Sequence, residues 1–183
     1  GHLWEQTVLP IYARNSLLWS PSITGPLAIE RQVVTIHDVV PLDHPEWLNP
    51  RFALWYRFLT PHLSNRVRSI ITISEFTKQR LTHHFPNIES KVHVVPLAAD
   101  KRFLPCPQID IDSVRSKLNI PSASYIIALG SIEPRKNLHR LLLAWERIVS
   151  KTPEDVWLIL AGGYGKTLVF DNVCFDKLPP RVH

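Results

Sequence analysis

The sequence has few cysteines and no long apolar run. Its 183 residues include two cysteines, Cys106 and Cys174, which have no metal-ligand spacing; this argues against a disulfide framework and favours a reducing compartment. No stretch approaches the roughly 18 apolar residues that a membrane-spanning helix requires. Residues 1–5 lack the charged start and the apolar core of a secretory signal peptide. We therefore predict a cytoplasmic protein.

The composition is that of a basic globular protein. Hydrophobic residues make up 45% of the chain and include six tryptophans, which is enough for a sizeable core in one domain or two small ones. The formal net charge is +5, and the sequence pI is near 9.4. This balance favours anionic partners, such as nucleotide phosphates, acidic lipids or nucleic acids.

Short apolar strands alternate with helical patterns along the whole chain. This alternation predicts an α/β fold with parallel sheets of the doubly wound kind. The segment K-R-F-L-P-C-P at 101–107 interrupts the rhythm and predicts a domain boundary near Asp100. The predicted strands are residues 17–19, 33–36, 69–73, 92–95, 125–129 and 156–161.

Several helix ends can be placed from single residues. Asn49 with Pro50 predicts an N-cap and a first-turn proline, and Pro61 predicts a kink in the helix that follows. Ser74 is expected to cap a helix over residues 75–84. A further short helix is expected at residues 112–118, after the boundary.

The stretch G-S-I-E-P-R-K-N-L, residues 130–138, joins a strand to an amphipathic helix. The preceding Y-I-I-A-L run predicts a strand buried on both faces, and Asn137 is a good N-cap residue. Arg135 and Lys136 would then lie at the carboxyl end of a strand, beside a helix N-terminus, where anions bind. A phosphate or diphosphate would neutralise the two cations. The alternative is that both are solvated surface charges.

Other motifs do not support a site. The residues Gly165-Lys166-Thr167 follow a strand, but the phosphate-loop pattern requires glycine at position 160, which is Leu. The glycines at 162, 163 and 165 do not fit the dinucleotide-binding spacing, and no nucleophile elbow is present. His83 and His84 lack a third ligand in helical register, so we expect exposed histidines rather than a metal site.

Four ordered segments together resemble the retaining glycosyltransferases of the GT-B type, family 4. They are T-I-H-D-V-V-P-L-D-H-P-E-W (35–47), I-I-T-I-S-E-F-T-K-Q-R-L (70–81), V-V-P-L-A-A-D-K-R-F (94–103) and L-G-S-I-E-P-R-K-N-L (129–138). The resemblance implies two Rossmann-like domains facing a cleft. Residues 1–100 would be part of the acceptor-side domain and residues 101–183 the first part of the nucleotide-sugar-binding domain, with the fold truncated at both ends.

The resemblance also implies roles for particular residues. Arg135 and Lys136 would grip the donor diphosphate and stabilise the leaving group, so that neither a metal nor a cofactor is required. His37 would approach the transferred sugar and the acceptor, or else cap the end of its strand. Catalytic roles thus fall to His37, Arg135 and Lys136, and substrate-binding roles to Asp38, Ser74, Ser131, Gly162, Gly163 and Val182; for Ser74, helix capping is the alternative.

The sequence departs from the family pattern in three places. Ala98 replaces the usual glycine between the domains, and Ser131 stands where many relatives have a basic residue. The two-glutamate segment that binds the donor sugar and ribose is absent. The chain is therefore expected to be a fragment of its parent enzyme.

The predicted function is transfer of a hexose, with retention, from UDP-glucose or GDP-mannose to a glycan or lipid-linked glycan, as in polysaccharide biosynthesis. The alternative is a non-catalytic fragment that binds a nucleoside diphosphate, or a membrane-associated module. The aromatic and basic stretch 47–68 could rest on the inner face of an anionic membrane or simply pack on the core. No nucleic-acid-binding module is present, so nucleic acid is not expected as a partner.

Overall fold

The computed structural model describes residues 1–105, 107–121, 124–164, 169, 175 and 177–183. They form two compact units, Gly1–Ala99 and Asp100–His183. Each unit combines helices with a parallel sheet, so the predicted α/β class is confirmed. Cys106, Cys174 and the motif at 165–167 lie outside the described residues.

The first unit contains a four-stranded parallel sheet whose strands lie side by side in chain order. Because the strands are parallel, their carboxyl ends meet at one edge of the sheet. The strands are β1 (Leu18–Ser20), β2 (Gln32–Ile36), β3 (Ser69–Thr72) and β4 (Val92–Val94). The helices are α1 (His2–Thr7), α2 (Leu9–Ala13), α3 (Val40–Asp43), α4 (Pro50–Arg66) and α5 (Glu75–His84), with short 3₁₀ helices at Pro45–Trp47 and Pro86–Lys91.

The core of this unit lies between the two central strands and the helices α4 and α5. Val34 and Ile36 of β2 and Ile70 of β3 are fully buried against Leu63 of α4 and Leu81 of α5. The opposite face of α4 is open, since Leu54 is 72% exposed and Phe58 is 50% exposed. One face of α4 therefore packs on the core, and contact of the other face with a membrane stays a prediction.

Both predicted helix caps in the first unit are confirmed. The Asn49 side chain accepts a hydrogen bond from the Arg51 backbone N–H at 3.0 Å, just before α4. Ser74 Oγ accepts from the Thr77 backbone N–H at 3.1 Å, just before α5. Each side chain satisfies one of the backbone donors that a helix N-terminus leaves free. Helix α4 continues through Pro61.

Asp43 connects helices α3 and α5 through an ion-pair network. Arg80 donates to both carboxylate oxygens, with Nε at 2.9 Å and its nearer terminal nitrogen at 2.7 Å. His84 Nε2 donates to Asp43 Oδ1 at 2.6 Å. The Arg80 hydrogen bond is the main cause that lowers the pKa of Asp43 to about 2. His83 is exposed as expected, whereas His84 is half-buried because it contacts Asp43.

The second unit is built on two parallel strands, β5 (Tyr125–Leu129) and β6 (Trp157–Ala161). Helix α6 (Gln108–Lys117) precedes them, and α7 (Leu138–Ile148) connects them, with 3₁₀ turns at Pro134–Lys136 and Val149–Lys151. Leu142, Trp145 and Val149 of the α7 region pack on Leu158 of β6 to form the core. The predicted strand–turn–helix–strand unit is therefore present.

The last described residues close this core from the other side. Val182 forms an isolated parallel bridge with Leu158 of β6. The Trp145 indole N–H donates to the Pro180 carbonyl at 2.9 Å. The Arg181 guanidinium donates to the carbonyl of Val149, so it satisfies an acceptor that the C-terminal end of α7 leaves free.

Three sequence-based expectations about this unit are wrong. Strand β5 is not buried on both faces: Ile127 is 55% exposed and Leu129 is 81% exposed. Among the described residues β5 pairs along one edge only, and a cavity of about 600 Å³ lies between α6 and the sheet. Helix α6 begins at Gln108 rather than near residue 112. Asn137 stands at the N-cap position of α7, but its side chain makes no capping bond.

Within the described ranges, no helix has both the length and the apolar character needed to cross a bilayer.

Candidate functional site

The carboxyl ends of β5 and β6 stay side by side beyond the last residue of each strand. The Gly130 N–H donates to the Ala161 carbonyl, and the Ile132 N–H donates to the Gly163 carbonyl, both at 2.9 Å. Ser131 lies between these two bonds and is half-buried. The two strand ends therefore form one continuous edge, on which the turn to α7 is built.

Two glycines make this edge possible. A Cβ on Gly162 would overlap the Gly130 carbonyl oxygen, and Gly162 has a φ of +155°, which side chains disfavour. A Cβ on Gly130 would lie 3.3 Å from Lys136 Cε. The adjacent Gly163 has no atom of the described residues within 4 Å of its Cβ position. Gly162 thus permits the contact between the strand ends, and Gly130 leaves space for the Lys136 side chain.

Lys136 is the cation that the turn leaves uncompensated. Its aliphatic chain lies over Gly130, and its Nζ is 3.8 Å from the Gly130 Cβ position. The residue is exposed and has no ion pair within the part of the chain that the structure describes. Helix α7 begins two residues later, at Leu138. A positive charge therefore stands at the end of β5, close to the N-terminus of a helix.

Arg135 differs from Lys136, because it is already paired. Its Nε and one terminal nitrogen donate to Glu133 Oε1 at 3.1 and 2.6 Å. The Glu133 side chain is fully buried, whereas the Arg135 side chain is 36% exposed. The expectation that two adjacent cations await an anion is therefore wrong for Arg135, since a local carboxylate compensates its charge. Its assignment as a catalytic residue stays a prediction.

Asn137 shapes the turn through its backbone rather than its side chain. Its φ of +52° and ψ of +36° place it in the left-handed region, which asparagine tolerates better than most residues. Its N–H donates to the Pro134 carbonyl at 3.0 Å, which closes the 3₁₀ turn before α7 starts. Asn137 therefore allows the chain to reverse direction immediately after Lys136.

Val182 is the one predicted site residue of this unit that lies away from the turn. It stands beside Leu158, near the start of β6, whereas Gly162 and Gly163 follow the end of that strand. Its side chain packs against the core around Trp145. The bonds to β6 come from its two neighbours, Arg181 and His183, so the Val182 backbone groups point away from β6.

In the first unit, His37 and Ser74 follow the neighbouring strands β2 and β3. His37 Nε2 donates to the Pro21 carbonyl at 3.0 Å, which fixes the proton on this nitrogen because a carbonyl oxygen only accepts. In the neutral ring Nδ1 is then an acceptor. Thr77 Oγ1 donates to the His37 carbonyl at 3.1 Å and lies 3.0 Å from Ser74 Oγ. Thr77 therefore connects the ends of the two strands.

Asp38 lies two residues before the start of α3. Its Oδ1 accepts a hydrogen bond from the Val40 backbone N–H at 3.1 Å, and the residue is exposed. The Asp38 side chain thus binds the first backbone N–H of α3, and the Ser74 side chain caps α5. A substrate-binding role for either residue stays a prediction.

The predicted site residues therefore lie in two groups, one in each unit. Two further residues, Glu133 and Thr77, were not predicted from the sequence: Glu133 binds the Arg135 side chain, and Thr77 binds the His37 carbonyl. The Glu133–Arg135 pair could have been predicted, because the sequence places an acidic residue two positions before Arg135, with Pro134 between them. Within the described ranges, no group of three or more histidine, cysteine or acidic residues is arranged to hold a metal ion.

Comparisons with known proteins agree with the resemblance seen in the sequence. The family model for Glycosyltransferase Family 4 matches residues 14–103. The O-antigen chain mannosyltransferase B of Escherichia coli is 27% identical over 153 residues, covering 83% of this chain and 40% of the relative. The putative glycosyltransferase YtcC of Bacillus subtilis is 32% identical over 137 residues, covering 63% of this chain and 33% of the relative.

Solved structures show the same fold. Anabaena HepE in complex with UDP-glucose superimposes with a TM-score of 0.55 at 18% identity, covering 72% of this chain and 33% of HepE. Its complex with UDP and glucose gives a TM-score of 0.56, with 74% and 34% covered.

Residues 14–103 thus resemble glycosyltransferase family 4, and the chain has the fold of the GT-B glycosyltransferases. The chain spans between a third and two fifths of the length of these relatives.

Proposed function

We propose that this chain is part of a retaining glycosyltransferase that transfers a hexose from a nucleoside diphosphate sugar to a glycan or lipid-linked glycan. In this proposal the second unit binds the donor diphosphate at the turn 130–138. In the first unit, His37 contacts the transferred sugar and the acceptor. The reaction requires no metal, because the protein's own cations and backbone dipoles meet the charge of the leaving group.

The position of Lys136 is the observation that carries this proposal. Its side chain crosses Gly130, where no Cβ stands, and brings an uncompensated positive charge to the carboxyl end of β5. Ligands of open α/β sheets bind at this edge. The first N–H groups of α7 add a partial positive charge beside it. A diphosphate, which becomes more negative as the glycosidic bond breaks, is the ligand that fits this arrangement.

Arg135 supplies hydrogen-bond donors rather than net charge. A guanidinium has five N–H donors, and Glu133 uses two of them. The remaining donors have no hydrogen-bond partner among the described residues, and the side chain is 36% exposed, so we propose that they contact phosphate oxygens. Lys136 then supplies the uncompensated charge, and Arg135 supplies directed contacts.

His37 is suited to contact a hydroxyl group. Its Nε2 proton is used by the Pro21 carbonyl, so Nδ1 can accept a hydrogen bond from a sugar. This arrangement supports a positioning contact with the transferred sugar or the acceptor.

The donor is proposed as UDP-glucose or GDP-mannose. The Anabaena relative binds UDP-glucose in its solved complex, and the Escherichia coli relative is named as a mannosyltransferase. The two names support different donors for this chain, so the binding experiment includes both UDP and GDP.

The experiment is isothermal titration calorimetry of the 183-residue chain with UDP and with GDP, comparing wild type with Lys136→Ala. We expect the variant to lose roughly 1.5–3 kcal/mol of binding free energy, the range for hydrogen bonds to charged groups. Lys151→Ala is the matched control, since it removes the same charge beyond the other end of α7 and should leave the affinity unchanged.

Equal affinity of the wild type and Lys136→Ala for both nucleotides would refute the site. A turnover assay with UDP-glucose and GDP-mannose separates an enzyme from a module that only binds the nucleotide. Arg135→Ala is a poorer probe, because it would also leave the buried Glu133 carboxylate without its partner.

A further inference from the structure

Glu133 is a buried carboxylate in the middle of the turn that is proposed to bind an anion. The residue is 1% exposed, and its side chain is fully buried. Burying a carboxylate is unfavourable unless it is paired, and an acidic group near a diphosphate also opposes binding. A residue with both disadvantages requires a compensating role.

The hydrogen bonds of Glu133 show what this role is. Oε1 alone accepts both bonds from Arg135, from Nε at 3.1 Å and from a terminal nitrogen at 2.6 Å. Two contacts to one edge of a planar guanidinium fix both its position and its orientation. The other edge of the guanidinium has no hydrogen-bond partner within the described part of the chain, and the side chain is 36% exposed. Arg135 is thus held on its Glu133 side and open on the other.

The second carboxylate oxygen indicates that this pair is not optimised for stability. Glu133 Oε2 is buried and has no hydrogen-bond partner among the described residues. An unsatisfied buried oxygen carries its full desolvation penalty, which a neutral side chain of the same size would reduce. The buried Glu133 carboxylate therefore lowers the stability of the turn, and its contact with Arg135 is the interaction that offsets this cost.

We propose that Glu133 is a positioning residue that holds the Arg135 guanidinium ready for the donor diphosphate. This inference rests on the proposed function of the turn. Without Glu133, the flexible arginine side chain would have to be ordered at the moment of binding, and this ordering opposes association. Glu133 orders it beforehand and leaves Lys136 as the uncompensated charge.

The test is a double-mutant cycle on UDP affinity, built from Glu133→Gln and Arg135→Gln. Glutamine keeps the size of Glu133 and one acceptor oxygen but not the charge, so we expect Glu133→Gln to fold. In the wild-type background it should weaken UDP binding about two- to tenfold, which corresponds to the ordering of one long side chain. In the Arg135→Gln background the same change should not weaken binding.

Two readouts separate positioning from other effects of Glu133. Removing an acidic group should by itself tighten the binding of an anion, and this effect should shrink at about 0.5 M salt because of screening. The loss of UDP affinity that results from a mobile Arg135 side chain should persist at that salt concentration. Thermal stability should not fall in Glu133→Gln, because a buried charge has been removed. Glu146→Gln, on the exposed face of α7, is the control for the change in charge.

Three outcomes would overturn the proposal. Unchanged or tighter UDP binding by Glu133→Gln would mean that Glu133 only compensates charge. Equal weakening in both backgrounds would mean a general structural effect. If the wild type bound neither UDP nor GDP, the proposed function would fail first, and this inference with it.

Discussion

The strands β2 and β5 are both five residues long and mainly apolar, and each leads into a candidate site, but their surroundings differ. Strand β2 lies between β1 and β3, and its residues Val34 and Ile36 are fully buried. Strand β5 has a partner on one edge among the described residues, and Ile127 is 55% exposed. An apolar run therefore predicts a strand, whereas its burial depends on neighbours that the run does not specify.

The two candidate sites differ in the same way. His37 is held by residues distant in sequence, through the Pro21 carbonyl and the Thr77 hydroxyl. Arg135 and Lys136 are held by neighbours within the same turn, namely Glu133 and Gly130. The first site depends on contacts between residues of different strands and helices. The second depends mainly on local sequence and on the contact between two strand ends.

The largest expected effect compares equivalent truncations in the two strands. Ile36→Ala should lower the free energy of unfolding by about 2–5 kcal/mol, because a fully buried side chain is removed. Ile127→Ala should lower it by less than about 1 kcal/mol, because much of that side chain is already exposed. Denaturant unfolding checks both values, with hydrogen exchange to follow the two units separately. Equal losses would contradict the contrast between the strands.

Substitution of Gly162 should disrupt the contact between the strand ends, whereas substitution of the adjacent Gly163 should leave it intact. Gly162→Ala should cost about 2–4 kcal/mol, because backbone strain adds to the displacement of the Gly130 carbonyl. It should also weaken UDP binding, since the edge that supports the turn is disrupted. In Gly163→Ala the new Cβ would meet no atom of the described residues, so this change should alter stability by less than about 0.5 kcal/mol. Hydrogen exchange of the β5 and β6 amides measures the difference, and similar exchange in both variants would refute the assigned role of Gly162.

The smallest expected effect concerns the carboxylate–arginine pair of the first unit. The pKa of Asp43 is lowered to about 2, mainly by the Arg80 hydrogen bond, so the folded state favours the ionised carboxylate. The resulting stability, about 1–2 kcal/mol after allowance for the partly exposed Arg80, is present above the unfolded pKa near 4 and is lost as the pH falls towards 2.

Asp43→Asn removes this contribution. The difference in unfolding free energy between wild type and Asp43→Asn should therefore be largest at neutral pH and shrink between about pH 5 and pH 2. A difference that did not change over this range would mean that Asp43 stabilises the fold by packing alone. Unlike Glu133→Gln, the change should leave UDP affinity unaffected, because Asp43 supports helices of the other unit.

Sequence periodicity and end signals predicted much of the fold, because they report local physics. The strand 125–129 and the helix after Lys136 follow from apolar spacing, and the caps at Asn49 and Ser74 follow from side-chain chemistry at helix ends. The placement of Arg135 and Lys136 at a strand's carboxyl end followed from the same local pattern. The cap predicted at Asn137 failed, because the preceding 3₁₀ turn requires a left-handed residue there instead.

By itself, then, the sequence determined the α/β class and the turn that carries the basic pair, since both follow from local periodicity, and the alternation of strands with helices predicted that the strands are parallel. Only the three-dimensional structure decided that Glu133 pairs with Arg135 while Lys136 has no ion pair among the described residues, that Gly162 supports Gly130, and that β5 is exposed while β2 is buried. These outcomes depend on distances between side chains and on which surfaces meet. A hydrophobic pattern or a spacing rule contains neither.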